Sequence, residues 1–246
     1  MDRPQAILFD IDGLLITTGG AGARSWRWAF NELYGIPADI GKFTDAGMTD
    51  PVVGRLTFTS AIGHEPSPVE LATVISHYLM RLPEEVASSS GYTVLEGVEA
   101  LLPRLCKAGF PLGITTGAVE AAAHIKLARA NLNRFFTFGG YGSDSADRGE
   151  LTRNAIDRAS EILGSALDRQ RVLVLGDTPK DIAAAHAAGA IGVGVASGHY
   201  SKDELVEAGA DYVLGSLVED LPGVADEFSG AAPSKGQMTT GQEEMA

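Results

Sequence analysis

Two apolar runs about 165 residues apart each end in carboxylates, and any fold that unites them must manage the resulting charge. The first is Leu8-Phe9-Asp10-Ile11-Asp12-Gly13. The second is Val172-Leu173-Val174-Leu175-Gly176-Asp177-Thr178-Pro179-Lys180-Asp181. Both are short and apolar without alternation, the pattern of strands buried on both faces. Four carboxylates brought together repel unless a cation sits among them or a proton is shared. An all-oxygen donor set asks for a hard divalent ion, and Mg2+ fits it best.

Similar apolar runs recur at 111–115, 135–138, 171–175, 191–195 and 212–214, with helical patterns over 119–130, 151–163, 182–188 and 202–208 between most of them. Strands alternating with helices predict an α/β fold, a parallel sheet with helices on both faces. Ligands in such sheets bind outside the carboxyl ends of the strands, where Asp10, Thr115 and Asp177 all stand. The alternation breaks between about residues 18 and 92. That stretch opens on the turn-rich Thr17-Thr18-Gly19-Gly20-Ala21-Gly22, carries helical patterns over 23–34 and 68–82, and closes on Ser88-Ser89-Ser90-Gly91. It reads as a helical insertion after the first strand. Residues 229–246 are poor in apolar side chains and read as a disordered tail.

With 45% hydrophobic residues in 246, the chain can bury a sizeable core. A net charge of −13 disfavours nucleic acid and anionic membranes as partners. It leaves room for an anionic small molecule, because a bound metal and a few cations can reverse the local sign. The single cysteine, Cys106, cannot form an internal disulfide, which fits a cytoplasmic location, and it reads as small apolar packing. No signal-peptide pattern precedes the first strand, and no apolar stretch reaches the roughly 20 residues that span a bilayer.

Asp10 and Asp12 lie two apart on an extended chain, so their side chains point the same way, and Gly13 permits a sharp turn after them. One can attack while the other handles protons. Thr178 and Pro179 have the look of a helix N-cap and first-turn proline, which puts Asp181 one helical turn beyond Asp177. Thr115-Thr116-Gly117 ends another strand before a helix start, where hydroxyls and free backbone N–H groups make an anion site.

These three segments, in this order, resemble the haloacid dehalogenase superfamily of hydrolases over roughly residues 6–215. The resemblance implies a Rossmann-like parallel-sheet core over residues 1–17 and 93–228, with an inserted α-helical cap over 18–92. On that likeness Asp10 is a nucleophile that becomes aspartyl-phosphate. Asp12 protonates the leaving group and then activates water. Thr115 holds the transferring phosphoryl group, with Thr116 and Gly117 beside it. Asp10, Asp177, Asp181 and the backbone carbonyl of Asp12 would surround Mg2+. The family's usual lysine before the penultimate core helix is missing from Ser143-Asp144-Ser145-Ala146-Asp147-Arg148. Arg148 is the first replacement, since a guanidinium can hold carboxylate and phosphate together. Lys126, after Thr115, is a second candidate, set against the reading of an ordinary surface lysine. The loop Gly47-Met48-Thr49-Asp50-Pro51 in the insertion is a candidate for substrate specificity, and Trp26 and Trp28 read as cap packing.

The expected activity is a Mg2+-dependent phosphatase acting on a small phosphorylated metabolite, most similar to phosphoglycolate phosphatases, in a monomer or homodimer. A metal-independent dehalogenase is the first rival, and Asp12 argues against it. Phosphonate hydrolysis would need a cap lysine, and Lys42, the insertion's one lysine, lies outside its helical patterns. A phosphomutase would share the same core. A non-catalytic binding protein on this fold would have little use for both Asp10 and Asp12.

Overall fold

The computed structural model describes residues 2–43 and 48–224, so Gly47 and the 229–246 tail lie outside the described residues. Six parallel strands form one sheet in the order β5-β4-β1-β6-β7-β8. They are β1 (Ala6–Phe9), β4 (Leu112–Thr116), β5 (Phe138–Tyr141), β6 (Val172–Gly176), β7 (Ile191–Val195) and β8 (Tyr212–Leu214). The remaining two, β2 (Ile16–Thr18) and β3 (Tyr92–Val94), form a separate antiparallel pair.

β1 is central because both of its faces are apolar. Ile7 and Phe9 enter the larger core, while Ala6 and Leu8 enter a second core on the opposite face. Its register sets Phe9 beside Ile114 on β4 and beside Leu175 on β6. The carboxyl ends of three neighbouring strands therefore come level, and Asp10, Thr116 and Asp177 emerge side by side. The chain moves outward from β1 in both directions, which leaves a crevice at those ends.

The helices are α1 (Ala21–Tyr34), α2 (Asp50–Ile62), α3 (Pro68–Ser88), α4 (Val98–Lys107), α5 (Glu120–Ala128), α6 (Arg148–Leu163), α7 (Pro179–Ala187) and α8 (Lys202–Glu207). α1, α2 and α3 lie between β2 and β3 in the chain and share an aromatic core. Trp26 stacks on Tyr78 with ring centroids 4.5 Å apart, and Phe30 and Phe58 pack beside them. α3 runs on through Pro83, beyond the expected end, because Val74, Tyr78, Leu82 and Val86 continue one buried stripe. On α4 the buried face is Val98, Leu101, Leu102 and Leu105. Cys106 points outward, so its expected role as core packing is corrected.

β5 starts at Phe138, not at 135, and Phe135 instead ends a 3-10 turn. Its Gly139-Gly140 looks like a break but serves close packing. A Cβ on Gly140 would overlap the Leu151 carbonyl of α6, so only glycine lets that helix settle on the sheet. α6 in turn begins at Arg148, with Asp147 as its N-cap accepting from the Glu150 amide at 3.0 Å.

Candidate active site

Asp10 follows β1, and its amide donates to the Leu175 carbonyl at 2.9 Å, which locks it to β6. Its carboxylate is buried. Asp177 follows β6 and is wedged between two glycines: a Cβ on Gly13 or on Gly198 would overlap its carboxylate. Gly13 has φ 87°, a left-handed conformation that glycine adopts at little cost. Asp181 is held by a capping box at the start of α7. Its Oδ2 accepts from the Thr178 amide at 3.1 Å and the Thr178 hydroxyl at 2.7 Å. Its Oδ1 accepts from Arg148.

Arg148, the first residue of α6, also brings Nη2 to 3.7 Å from Asp10 Oδ1. It is the cation beside the expected nucleophile, and it pairs with Asp181 as well. Asp10, Asp177 and Asp181 each offer an oxygen within 4.8 Å of the others, and all three are buried. Burial pushes the Asp10 carboxyl well above its ordinary range, helped by the charges of Asp181, Asp177 and Asp12 against Arg148. Burial, then Asp181, raises Asp177 to about 7. Asp177 Oδ1 is buried without a hydrogen-bond partner. A divalent cation among these oxygens fits every one of these features: hard donors only, excess negative charge, and a buried oxygen lacking a partner.

Asp12 belongs to a second cluster. Lys126 Nζ on α5 lies 2.6 Å from Asp12 Oδ2. Lys126 is only 7% exposed, so the reading of an ordinary surface lysine is corrected. The period of α5 conceals this, because a lysine can bury its stem and extend its ammonium to a distant carboxylate. Burial by itself would draw the Lys126 ammonium down. Asp12, with Tyr78, Asp50 and the hydrogen bond to Asp12, outweighs burial and keeps it raised.

Asp50, at the start of α2, joins the helical segment to the core. Its amide donates to the Gly117 carbonyl at 2.8 Å, and its Oδ2 accepts from the Val119 amide at 3.0 Å. Sequence reasoning named the loop around Asp50 but no role for this carboxylate. Burial raises its pKa, against Lys126 and the Val119 bond. Ser197, whose hydroxyl donates to the Gly13 carbonyl at 2.8 Å, carried no motif signal at all.

Thr115 does not reach the site. Its hydroxyl bonds Thr152 of α6 at 2.9 Å, on the far side of β4. Thr116, one residue on and so facing the other way, lines the cavity with Gly117. The hydroxyl of this strand end that opens into the cavity is therefore that of Thr116, not of the expected Thr115. The cavity measures about 570 Å3 and brings together Asp10, Asp12, Thr116, Lys126, Arg148 and Asp177.

Known proteins resemble this chain in sequence and in fold. A phosphoglycolate phosphatase from Neisseria meningitidis is 33% identical over 225 residues, covering 89% of this chain and 93% of that protein. The hexitol phosphatase A of Escherichia coli is 28% identical over 189 residues, covering 76% of this chain and 81% of that protein. In fold, the crystal structure of a predicted phosphoglycolate phosphatase from Haemophilus somnus superposes with a TM-score of 0.69 at 18% identity, covering 93% of this chain and 99% of that one. The profile of the haloacid dehalogenase-like hydrolases matches residues 4–189, and the chain belongs to that family of enzymes.

Proposed function

We propose that this enzyme is a Mg2+-dependent phosphatase that hydrolyses a small-molecule phosphate monoester through an aspartyl-phosphate on Asp10. The observation that carries the reading is the placement of Asp10 within one buried carboxylate cluster while Asp12 opens into the same cavity beside it. The names of the relatives, phosphoglycolate phosphatase and hexitol phosphatase A, support phosphate monoesters as the substrate class. Residues 18–92 would act as a cap over the core, joined to it through Asp50. We also place the enzyme in the cytoplasm, a compartment the single cysteine fits. Among the described residues no helix is long and apolar enough to cross a membrane.

In the first step an Asp10 oxygen attacks phosphorus, the ester P–O bond breaks, and Asp12 gives a proton to the leaving oxygen. In the second, Asp12 takes a proton from water as it attacks the aspartyl-phosphate, and Asp10 is released with inorganic phosphate. Arg148 orients Asp10 and offsets negative charge beside it. Thr116 and the backbone around Gly117 would hold phosphoryl oxygens. Asp10, Asp177 and Asp181, with the carbonyl of Asp12, would hold Mg2+. The ion would neutralise the phosphoryl charge.

The test is hydrolysis of p-nitrophenyl phosphate by the purified protein. Turnover should stop in chelator and return with Mg2+, and Asp10→Asn should abolish it. Full activity in chelator, or an Asp10→Asn variant within about tenfold of wild type, would sink the reading. Dehalogenation is disfavoured by the placement of Asp12, which Lys126 holds at the cavity wall.

A further inference from the structure

We propose that the leaving-group side of the cavity selects phosphate monoesters whose other end is an uncharged, hydroxyl-bearing group, and rejects esters carrying a second anion. The inference rests on the phosphatase reading and names the substrate class within it.

The argument starts from which charges are already committed. Among the described residues, the lysine and arginine of the cavity wall are Lys126 and Arg148. Lys126 is paired with Asp12 at 2.6 Å, and Arg148 with Asp181 and Asp10. The nearest cation behind the Gly19-Gly20 rim, Arg24, is bonded to Glu85 at 2.6 Å and to the Gly19 carbonyl at 2.7 Å. His199 stands on the loop whose Gly198 abuts Asp177, the metal side of the cavity. A substrate carboxylate or second phosphate would find no uncommitted lysine or arginine among the described residues of this wall.

Carboxylates meanwhile outnumber cations. Asp10, Asp12, Asp50 and Asp177 line the cavity, and Asp181 lies just behind them. With Asp12 protonated as the leaving-group acid, a bound divalent ion with Lys126 and Arg148 at most balances the other four. The transferred phosphate then adds its own negative charge. Any further anion is placed in a field that is already negative.

Asp50 puts this charge on the leaving-group side. The bonds to Gly117 and Val119 fix it on the helical segment, facing the same cavity as the Lys126–Asp12 pair. Oδ2 is taken by the Val119 amide, which leaves Oδ1 to accept from a substrate hydroxyl. Thr17, Thr18 and the backbone of Gly19 and Gly20 complete a neutral polar rim suited to the same groups. A polyol or sugar phosphate meets hydrogen-bonding partners there, whereas an anion meets a like charge.

The test isolates charge from shape. Catalytic efficiency is compared for 2-phosphoglycolate, its uncharged amide 2-phosphoglycolamide, and sorbitol 6-phosphate, with p-nitrophenyl phosphate as reference. The amide should exceed the acid by at least about tenfold, mainly through KM, and sorbitol 6-phosphate should exceed both. Asp50→Asn should narrow the amide-to-acid ratio by about threefold or more. Asp50→Ser, whose hydroxyl can still accept from Val119, repeats the measurement should the first variant not fold. An acid that matches or beats its amide overturns the proposal. So does an unchanged ratio in both variants while p-nitrophenyl phosphate is still turned over. No Mg2+-dependent turnover of any ester, the aryl phosphate included, would instead bring down the phosphatase reading and this inference with it.

Discussion

Arg148 and Lys126 each pair with carboxylates of the cavity, where one of the two was expected to replace the family's usual lysine. Arg148 reaches two carboxylates, Asp181 and Asp10, from the first turn of α6, where its stem is fixed by the helix. Both contacts are made by Nη2, so one end of the guanidinium stands between the two carboxylates. Lys126 enters from the opposite side and holds Asp12. Arg148→Ala would leave Asp10 and Asp181 without their cation, so catalytic efficiency should fall at least about tenfold. Arg148→Lys should recover only part of the loss, since the ammonium stands on a shorter stem and would not reach the position of Nη2. Steady-state kinetics on p-nitrophenyl phosphate decide the point. A silent Arg148→Ala would mean that Lys126 is the cation that matters to the nucleophile.

Among the elements, β4 shows how a one-residue error reverses a role. Strand residues alternate between faces, so Thr115 and Thr116 cannot both meet the substrate. Thr115 serves the α6 side through Thr152, and Thr116 opens into the cavity. Thr115→Val should therefore cost stability, about 1 kcal/mol for the lost hydrogen bond, with kcat little changed. Thr116→Val should leave the thermal midpoint near wild type and lower kcat/KM by about tenfold or more. The opposite pattern would restore Thr115 as the phosphate-holding hydroxyl. The apolar runs of β1 and β6, their terminal carboxylates and the Thr178 cap were legible because each follows from local chemistry: unalternating burial, a turn glycine, a side-chain cap. The choice between two adjacent threonines was not legible, since both are β-formers and only the sheet register assigns their faces. Nor was the burial of Lys126, which depends on Asp12 more than a hundred positions away. β2 and β3 escaped notice because three residues carry too little periodicity to show a strand.

At the scale of the whole molecule, the carboxylate cluster links folding to pH and would link it to the proposed metal. Asp177 has an ordinary value of 3.8 and is raised to about 7 in the folded protein, and Asp10 is raised in the same direction. The metal-free folded state therefore binds more protons than the unfolded chain between these values. Stability from these groups is complete below their unfolded pKa and is lost as pH rises through the folded one. For Asp177 alone the slope reaches roughly 1.4 kcal/mol per pH unit. Glu85 and Asp144 work in reverse: their cationic neighbours, Arg24 for Glu85 and Arg158 for Asp144, hold them low, so their contribution is lost on acidification and is already complete above about pH 5. Between about pH 5 and 7 the cluster should thus dominate, and the chelated protein should lose several degrees of thermal midpoint. On the proposed reading Mg2+ would bind the folded state and displace those protons, so its stabilising increment should grow over the same range. Thermal scans at pH 5, 6 and 7, with chelator and with Mg2+, measure both trends without reference to activity. Asp177→Asn should flatten the chelated slope and shrink the Mg2+ increment. A chelated protein that instead gains stability from pH 5 to 7 would show that Asp10 and Asp177 carry ordinary charges in the fold, and would remove the electrostatic case for a metal among them.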